Sequence, residues 1–146
     1  MRVRTQGFTL IELLIVVAII GMIAAIAIPN LLNAIDKGKQ KRTMADLHAI
    51  GTAVESYSVD HTYYPAAADF NTLRPTIDPV YIRSMPLVDG WSHPFQVDSG
   101  QTSYTLYSFG KDGVGSTCSP AKTTSFDDQI CFTDGHFRRY PEGIQQ

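Results

Sequence analysis

The sequence contains no Cys-x-x-Cys pair, no glycine-rich phosphate loop and no Ser, His and Asp in a hydrolase order. Redox, nucleotide and acyl-transfer chemistry are thereby left without residues to carry them. Cysteine occurs only at Cys118 and Cys131, and the four histidines (His48, His61, His93 and His136) are scattered, so no structural zinc set can be built. Basic residues are not in excess: the formal net charge is −2, which gives no electrostatic footprint for nucleic acid as a main partner. Residues 13–28 hold no charged or hydrogen-bonding side chain at all. Such a run cannot form a helix that faces water on any side.

That run belongs to the stretch that organises the chain, residues 8–29, FTLIELLIVVAIIGMIAAIAIP. As a helix, residues 8–28 rise roughly 32 Å at about 1.5 Å per residue, enough to cross a bilayer core. Glu12 breaks the pattern. An uncompensated carboxylate costs about 2.5–3.5 kcal/mol near mid-membrane, so a segment serving only as an anchor would avoid it. Ahead of the apolar run lies MRVRTQG, with Arg2 and Arg4 and a terminal Gly7 directly before Phe8. A secretory signal places its cleavage site after the apolar core. Here the junction precedes the core, so processing would retain the helix. The two arginines predict an N-terminus inside and a head outside.

The stretch G-FTLIELLIVVAIIGMIAAIAIPN closely resembles the N-terminus of the type IV prepilin family, which includes type IV pilins and the pseudopilins of type II secretion. The resemblance implies cleavage between Gly7 and Phe8 by a prepilin peptidase, N-methylation of the new Phe8 amine, and packing of the helix in a filament core. The spacing then suggests a mechanism. Glu12 is four residues from Phe8, one turn away on the same face and near the positive end of the helix dipole. Its carboxylate would pair with the processed amine, of its own chain in the membrane and of a neighbour in the filament.

Pro29 removes one helix hydrogen bond, to the Ala25 carbonyl, and with Gly21 marks where the helix is expected to kink or loosen. Beyond it Leu32, Ile35, Met44, Leu47, Ile50, Val54 and Tyr57 recur at helical spacing, predicting an amphipathic continuation that ends near His61. Lys37, Lys39, Lys41 and Arg42 lie just past the membrane boundary, facing solvent and lipid headgroups or the acidic groups of a neighbouring subunit. The expected layout is a leader at 1–7, a membrane-spanning and filament-core helix at 8–29, an amphipathic helix at 30–61 and a globular head at 62–146.

Residues 62–94 are turn-rich, with five prolines. Asp69 is placed to cap one short helical turn through Leu73, and Pro79 to start another through Ile82. The last third reads as two antiparallel hairpins. The first joins residues 95–98 to 103–108; the second joins 130–133 to 136–140 through Asp134-Gly135, a two-residue hairpin signal. Residues 110–129 are poor in apolar side chains and need restraint. An even cysteine count in an exported head predicts a Cys118–Cys131 disulfide, worth roughly 3 kcal/mol in the chain-entropy model. The fold class is α+β: a long N-terminal helix packed on a small antiparallel sheet, which the resemblance identifies as pilin-like.

Two stretches of the head resemble major pseudopilins. In MPLVDGWSHPFQ (residues 85–96), Asp89, Trp91, Pro94 and Phe95 match a "P-x-D-P-W-G-N-P-Y" pattern, while Gly90 replaces a proline and Ser92-His93 replace Gly-Asn. SFGKDG (108–113) followed by DDQI (127–130) resembles the "S-x-G-A-D-G … D-x-D-I" loop that binds calcium in that family. The resemblance implies Asp112 and Asp127, with Asp128 nearby, as ligands, although Gln129 stands where the second acidic residue would be. Trp91 is expected to cap the sheet core with its N–H paired. The function these features imply is a structural subunit of a filament, without enzymatic activity. The major pseudopilin of type II secretion is favoured by the two head motifs; a surface type IV pilin, for adhesion, twitching or DNA uptake, is favoured by the disulfide. The partners implied are further copies of the chain, the prepilin peptidase and methyltransferase, an inner-membrane assembly platform, minor pilins or pseudopilins, and lipid. The implied location is a single pass of the inner membrane with the head in the periplasm.

Overall fold

The computed structural model describes residues 7–115, 118–143 and 145. Helix α1 covers Leu10–His61, ending where the periodicity predicts. The chain divides into two compact units, the first ending at Ile35 and the second beginning at Asp36.

The first unit is the apolar part of α1. Its best 18-residue window has a mean hydropathy of 2.9 and none of it is buried, so the helix is long and apolar enough to cross a membrane. Pro29 lies inside the helix and does not end it. A proline costs its own hydrogen bond and one clash, and helices take this as a local defect when the residues on both sides keep helical geometry. Next to it, Asn30 Nδ2 donates to the Ile26 carbonyl at 3.1 Å.

The second unit wraps the rest of α1 in a head with one core. Leu47, Ile50, Ala53 and Val54 of α1 pack with Phe70, Leu73 and Ile77, with Phe95 and Val97, and with Tyr104, Leu106, Ile130 and Phe132. Upstream, the buried face of α1 is polar: Asp36, Gln40 and Thr43 occupy it. Leu32 and Ile35, expected on the amphipathic stripe, are exposed instead. A periodicity search on apolar residues does not find this start, because the head contacts it through hydrogen bonds.

Asp69 caps α2 (Phe70–Ile77), its Oδ1 accepting from the Thr72 N–H at 2.7 Å. The helix runs past the expected end at Leu73 because Phe70, Leu73 and Ile77 form one buried stripe. No helix starts at Pro79. The N–H groups of Tyr81 and Ile82 both turn back to the Ile77 carbonyl and close the end of α2.

Five strands follow: β1 (Gln96–Ser99), β2 (Tyr104–Ser108), β3 (Ala121–Thr123), β4 (Ile130–Thr133) and β5 (His136–Pro141). They form one sheet in the order β1-β2-β4-β5-β3. Both expected hairpins are present, and β2 pairs β4 antiparallel between them. Asp134 and Gly135 turn with φ of 48° and 82°, the double positive φ of a two-residue hairpin loop. β4 is buried along its whole length. Ile130 and Phe132 enter the core, and Cys131, pointing the other way, carries the disulfide to Cys118. The sequence reading lacks β3, which pairs parallel to β5. It has no apolar alternation; Thr123 is held instead by Gln145, which donates to its carbonyl at 2.7 Å and accepts from its hydroxyl at 2.9 Å.

Candidate functional site

Two constellations stand out, one in each unit. In the first unit, Glu12 closes the helix start. Its Oε2 accepts from the Thr9 N–H at 2.8 Å and from the Thr9 hydroxyl at 2.6 Å, and the Glu12 N–H donates to Thr9 Oγ1 at 3.3 Å. This reciprocal arrangement is a capping box, which satisfies two N–H groups that a helix start leaves open. The signal was in the sequence, as Thr-x-x-Glu before an apolar run, but only Glu12 and its charge were read from it. Phe8 is exposed. While Gly7 precedes it the Phe8 nitrogen is a peptide nitrogen, so the amine for the expected pairing exists only after cleavage.

The second constellation joins the two head motifs to each other. Asp89 is almost wholly buried. Its Oδ1 accepts from the N–H groups of Trp91 and His93, both at 2.9 Å, and its Oδ2 accepts from the Ser108 hydroxyl at 2.6 Å. Ser108 Oγ in turn accepts from the Gly110 N–H at 3.1 Å, and His93 Nδ1 lies 2.9 Å from the Gly110 carbonyl. The contact to that carbonyl requires the proton on Nδ1. A buried carboxylate is expensive unless its lone pairs are filled, and here each motif fills part of the other's demand.

The same network reaches α1 through Asp36, which the sequence reading did not single out. Trp91 Nε1 donates to Asp36 Oδ1 at 3.1 Å and Lys111 Nζ to Oδ2 at 2.9 Å. Trp91 is therefore paired as expected, but to the helix and not over the sheet. Burial pushes the Asp36 carboxyl up, yet the hydrogen bonds of Lys111 and Trp91 and the charges of Lys111 and Lys39 outweigh it and hold it below the usual range. The same ion pair raises Lys111. Gly90 lies against α1 so closely that a Cβ would sit 2.4 Å from the Lys39 carbonyl oxygen. Its N–H donates to Thr43 Oγ1 at 2.9 Å, a bond that a proline at this position could not make.

Two of the three residues expected to hold calcium, Asp112 and Asp128, have hydrogen-bond partners of their own. Asp112 Oδ1 accepts from the Val114 N–H at 2.9 Å. Asp128 Oδ2 accepts from the N–H groups of Thr124 and Ser125, at 2.8 and 2.9 Å, and Oδ1 from Arg139 Nη2 at 2.9 Å. Burial raises the Asp128 carboxyl, but these two N–H groups and the Arg139 charge hold it below the usual range. Among the described residues no three acidic, His or Cys side chains converge. The cleft of about 310 Å³ beside Asp127 and Asp128 has Arg139 in its wall. Asp128 is thus held by two N–H groups and a guanidinium, whereas calcium takes six to eight oxygens. Cys118 and Cys131 are joined as expected.

Comparison with known proteins finds matches to two parts of the chain. Residues 30–124 match the family model of "Type II secretion system (T2SS), protein G", and residues 2–28 match the "Prokaryotic N-terminal methylation motif". The chain is 32% identical to type II secretion system core protein G of Aeromonas hydrophila, over 78% of its own length and 88% of that protein. It is 33% identical to the core protein G of Pseudomonas aeruginosa, over 77% and 87%. The crystal structure of the major pseudopilin from the type 2 secretion system of enterohaemorrhagic Escherichia coli superposes with a TM-score of 0.50 at 29% identity, covering 70% of this chain and 93% of that one.

Proposed function

The chain belongs to the type II secretion system protein G family, and on that premise we propose that it is the major structural subunit of a periplasmic secretion filament. The observation that carries the reading is the combination of an unburied apolar helix, a methylation motif at its start and a head matching protein G over residues 30–124. The precursor enters the inner membrane by residues 8–29, with Arg2 and Arg4 keeping its N-terminus in the cytoplasm and the head in the periplasm. A prepilin peptidase cuts after Gly7 and the new Phe8 amine is methylated. The chain does no chemistry of its own; the chemistry is done to it.

In the membrane-embedded subunit the capping box supplies Glu12 with hydrogen bonds at a depth where an isolated carboxylate would be costly. On assembly, Glu12 turns to the Phe8 amine of a neighbouring copy and sets the axial register of the filament, which extends through the periplasm and moves folded substrates toward an outer-membrane channel. An inner-membrane platform and minor pseudopilins take part in that assembly. The disulfide suits a surface pilus equally well, but the protein G match covers the helix and the head together.

Glu12→Val tests the mechanism. The variant protein is expected in the membrane, cleaved and at normal level, with filaments reduced to background and secretion lost. Filaments in normal number from Glu12→Val cells would refute the pairing.

A further inference from the structure

We propose that the segment between β2 and β4 closes without a divalent cation, the chain's own Arg139, Lys111 and Cys118–Cys131 bond taking the place of the calcium that this family's loop pattern leads one to expect. The inference concerns the head alone and does not depend on how the filament assembles.

Four observations carry it. Both Asp128 oxygens already accept hydrogen bonds, Oδ2 from two backbone N–H groups and Oδ1 from the Arg139 guanidinium. Arg139 comes from β5, so it ties the acidic stretch to the sheet as a cation would tie it to another ligand. Lys111 stands where the family pattern has alanine, beside Asp112. Its ammonium reaches Asp36 on α1, and the charge of Asp127 also acts on it. A cation already interacting with Asp127 opposes the entry of a divalent one.

Two backbone carbonyls of the segment are engaged as well. The Gly110 carbonyl lies against His93 Nδ1 and the Phe126 carbonyl accepts from the Lys111 N–H at 2.9 Å. Finally, the two ends of the segment already touch. Gly110 has φ of +82°, and a Cβ on it would lie 2.7 Å from the carbonyl oxygens of both Asp127 and Asp128. Only glycine allows that approach, which brings the acidic stretch against the SFGKDG turn at Gly110. The disulfide adds a covalent tie from this segment to β4.

The test uses the full-length, oxidised protein in detergent micelles. Its thermal midpoint is followed by circular dichroism in EGTA and in millimolar calcium, and calcium binding is measured by equilibrium dialysis. The midpoint is expected to agree within about 1 °C between the two media, with no saturable binding up to the roughly 10⁻⁴–10⁻³ M range of extracellular sites. A calcium-dependent rise of about 5 °C or more, or saturable binding, would overturn the proposal. This arm needs no variant. Arg139→Gln is expected to lower the midpoint equally in both media, and Asp128→Asn to add little on top of it, because the two remove one shared contact. An unchanged midpoint for Arg139→Gln in EGTA would equally count against the brace.

Discussion

Gly90 shows how much one missing side chain can decide. The head approaches α1 there at a distance that excludes a Cβ, and the N–H of Gly90 meets the hydroxyl of Thr43, which is completely buried. Gly90→Ala is expected to cost about 1–3 kcal/mol, since the obstructing atom is a backbone oxygen that cannot swing away. Thermal unfolding of the variant checks it, and an unchanged midpoint would mean that α1 and the loop can separate. Acid sensitivity follows from other single residues. Asp36 and Asp128 have folded carboxyls held below the ordinary range, so their contribution is present at neutral pH and is lost as pH falls through the folded values. The thermal midpoint should be level from neutral pH to about pH 5 and fall below about pH 4, with Asp36→Asn flattening that decline. Glu12 was legible because a charge inside an apolar run is conspicuous. Asp36 was not, because its role depends on Trp91 and Lys111, distant in sequence, and a lone acid beside four basic residues looks like one more solvated charge.

Elements with a strong local signal came out of the sequence nearly residue for residue. α1 ends at His61, and the Asp134-Gly135 hairpin sits where its turn chemistry puts it. Those whose cause is tertiary did not. β3 exists because β5 and Gln145 hold it, and α2 continues past Leu73 because Ile77 has a core to enter. The candidate calcium loop is the sharpest case: its acidic residues were visible, but Arg139, which occupies Asp128, lies on a different strand and announces nothing in the sequence. Among the described residues, the segment between β2 and β4 contributes none of the clustered core residues, so its tie matters to local closure more than to the existence of the fold. Replacing both Cys118 and Cys131 by serine should cost roughly 3 kcal/mol while the head still unfolds cooperatively. Denaturant titration of the double variant, followed by far-ultraviolet circular dichroism, checks both parts; loss of the cooperative transition would mean the bond is needed for folding itself.

Taken as one molecule, the chain separates its two tasks. The first unit offers a long apolar stretch of helix whose single carboxylate is kept satisfied at the helix start, suited first to lipid and then to neighbouring helices. The second unit is a head that binds its own motifs together: the DGWSHPF and SFGKDG stretches complete each other through Asp89 and Ser108, and both are fastened to α1 by Asp36. The proposed filament is confined to the periplasm. This is tested most directly by shearing unmodified cells at native expression and measuring, with an antibody to residues 62–146, how the protein divides between the sheared fraction and the washed envelope. Nearly all of it is expected to stay with the envelope. Abundant protein in the sheared fraction as thin surface fibres would contradict it and make this chain a surface pilin with a shared head.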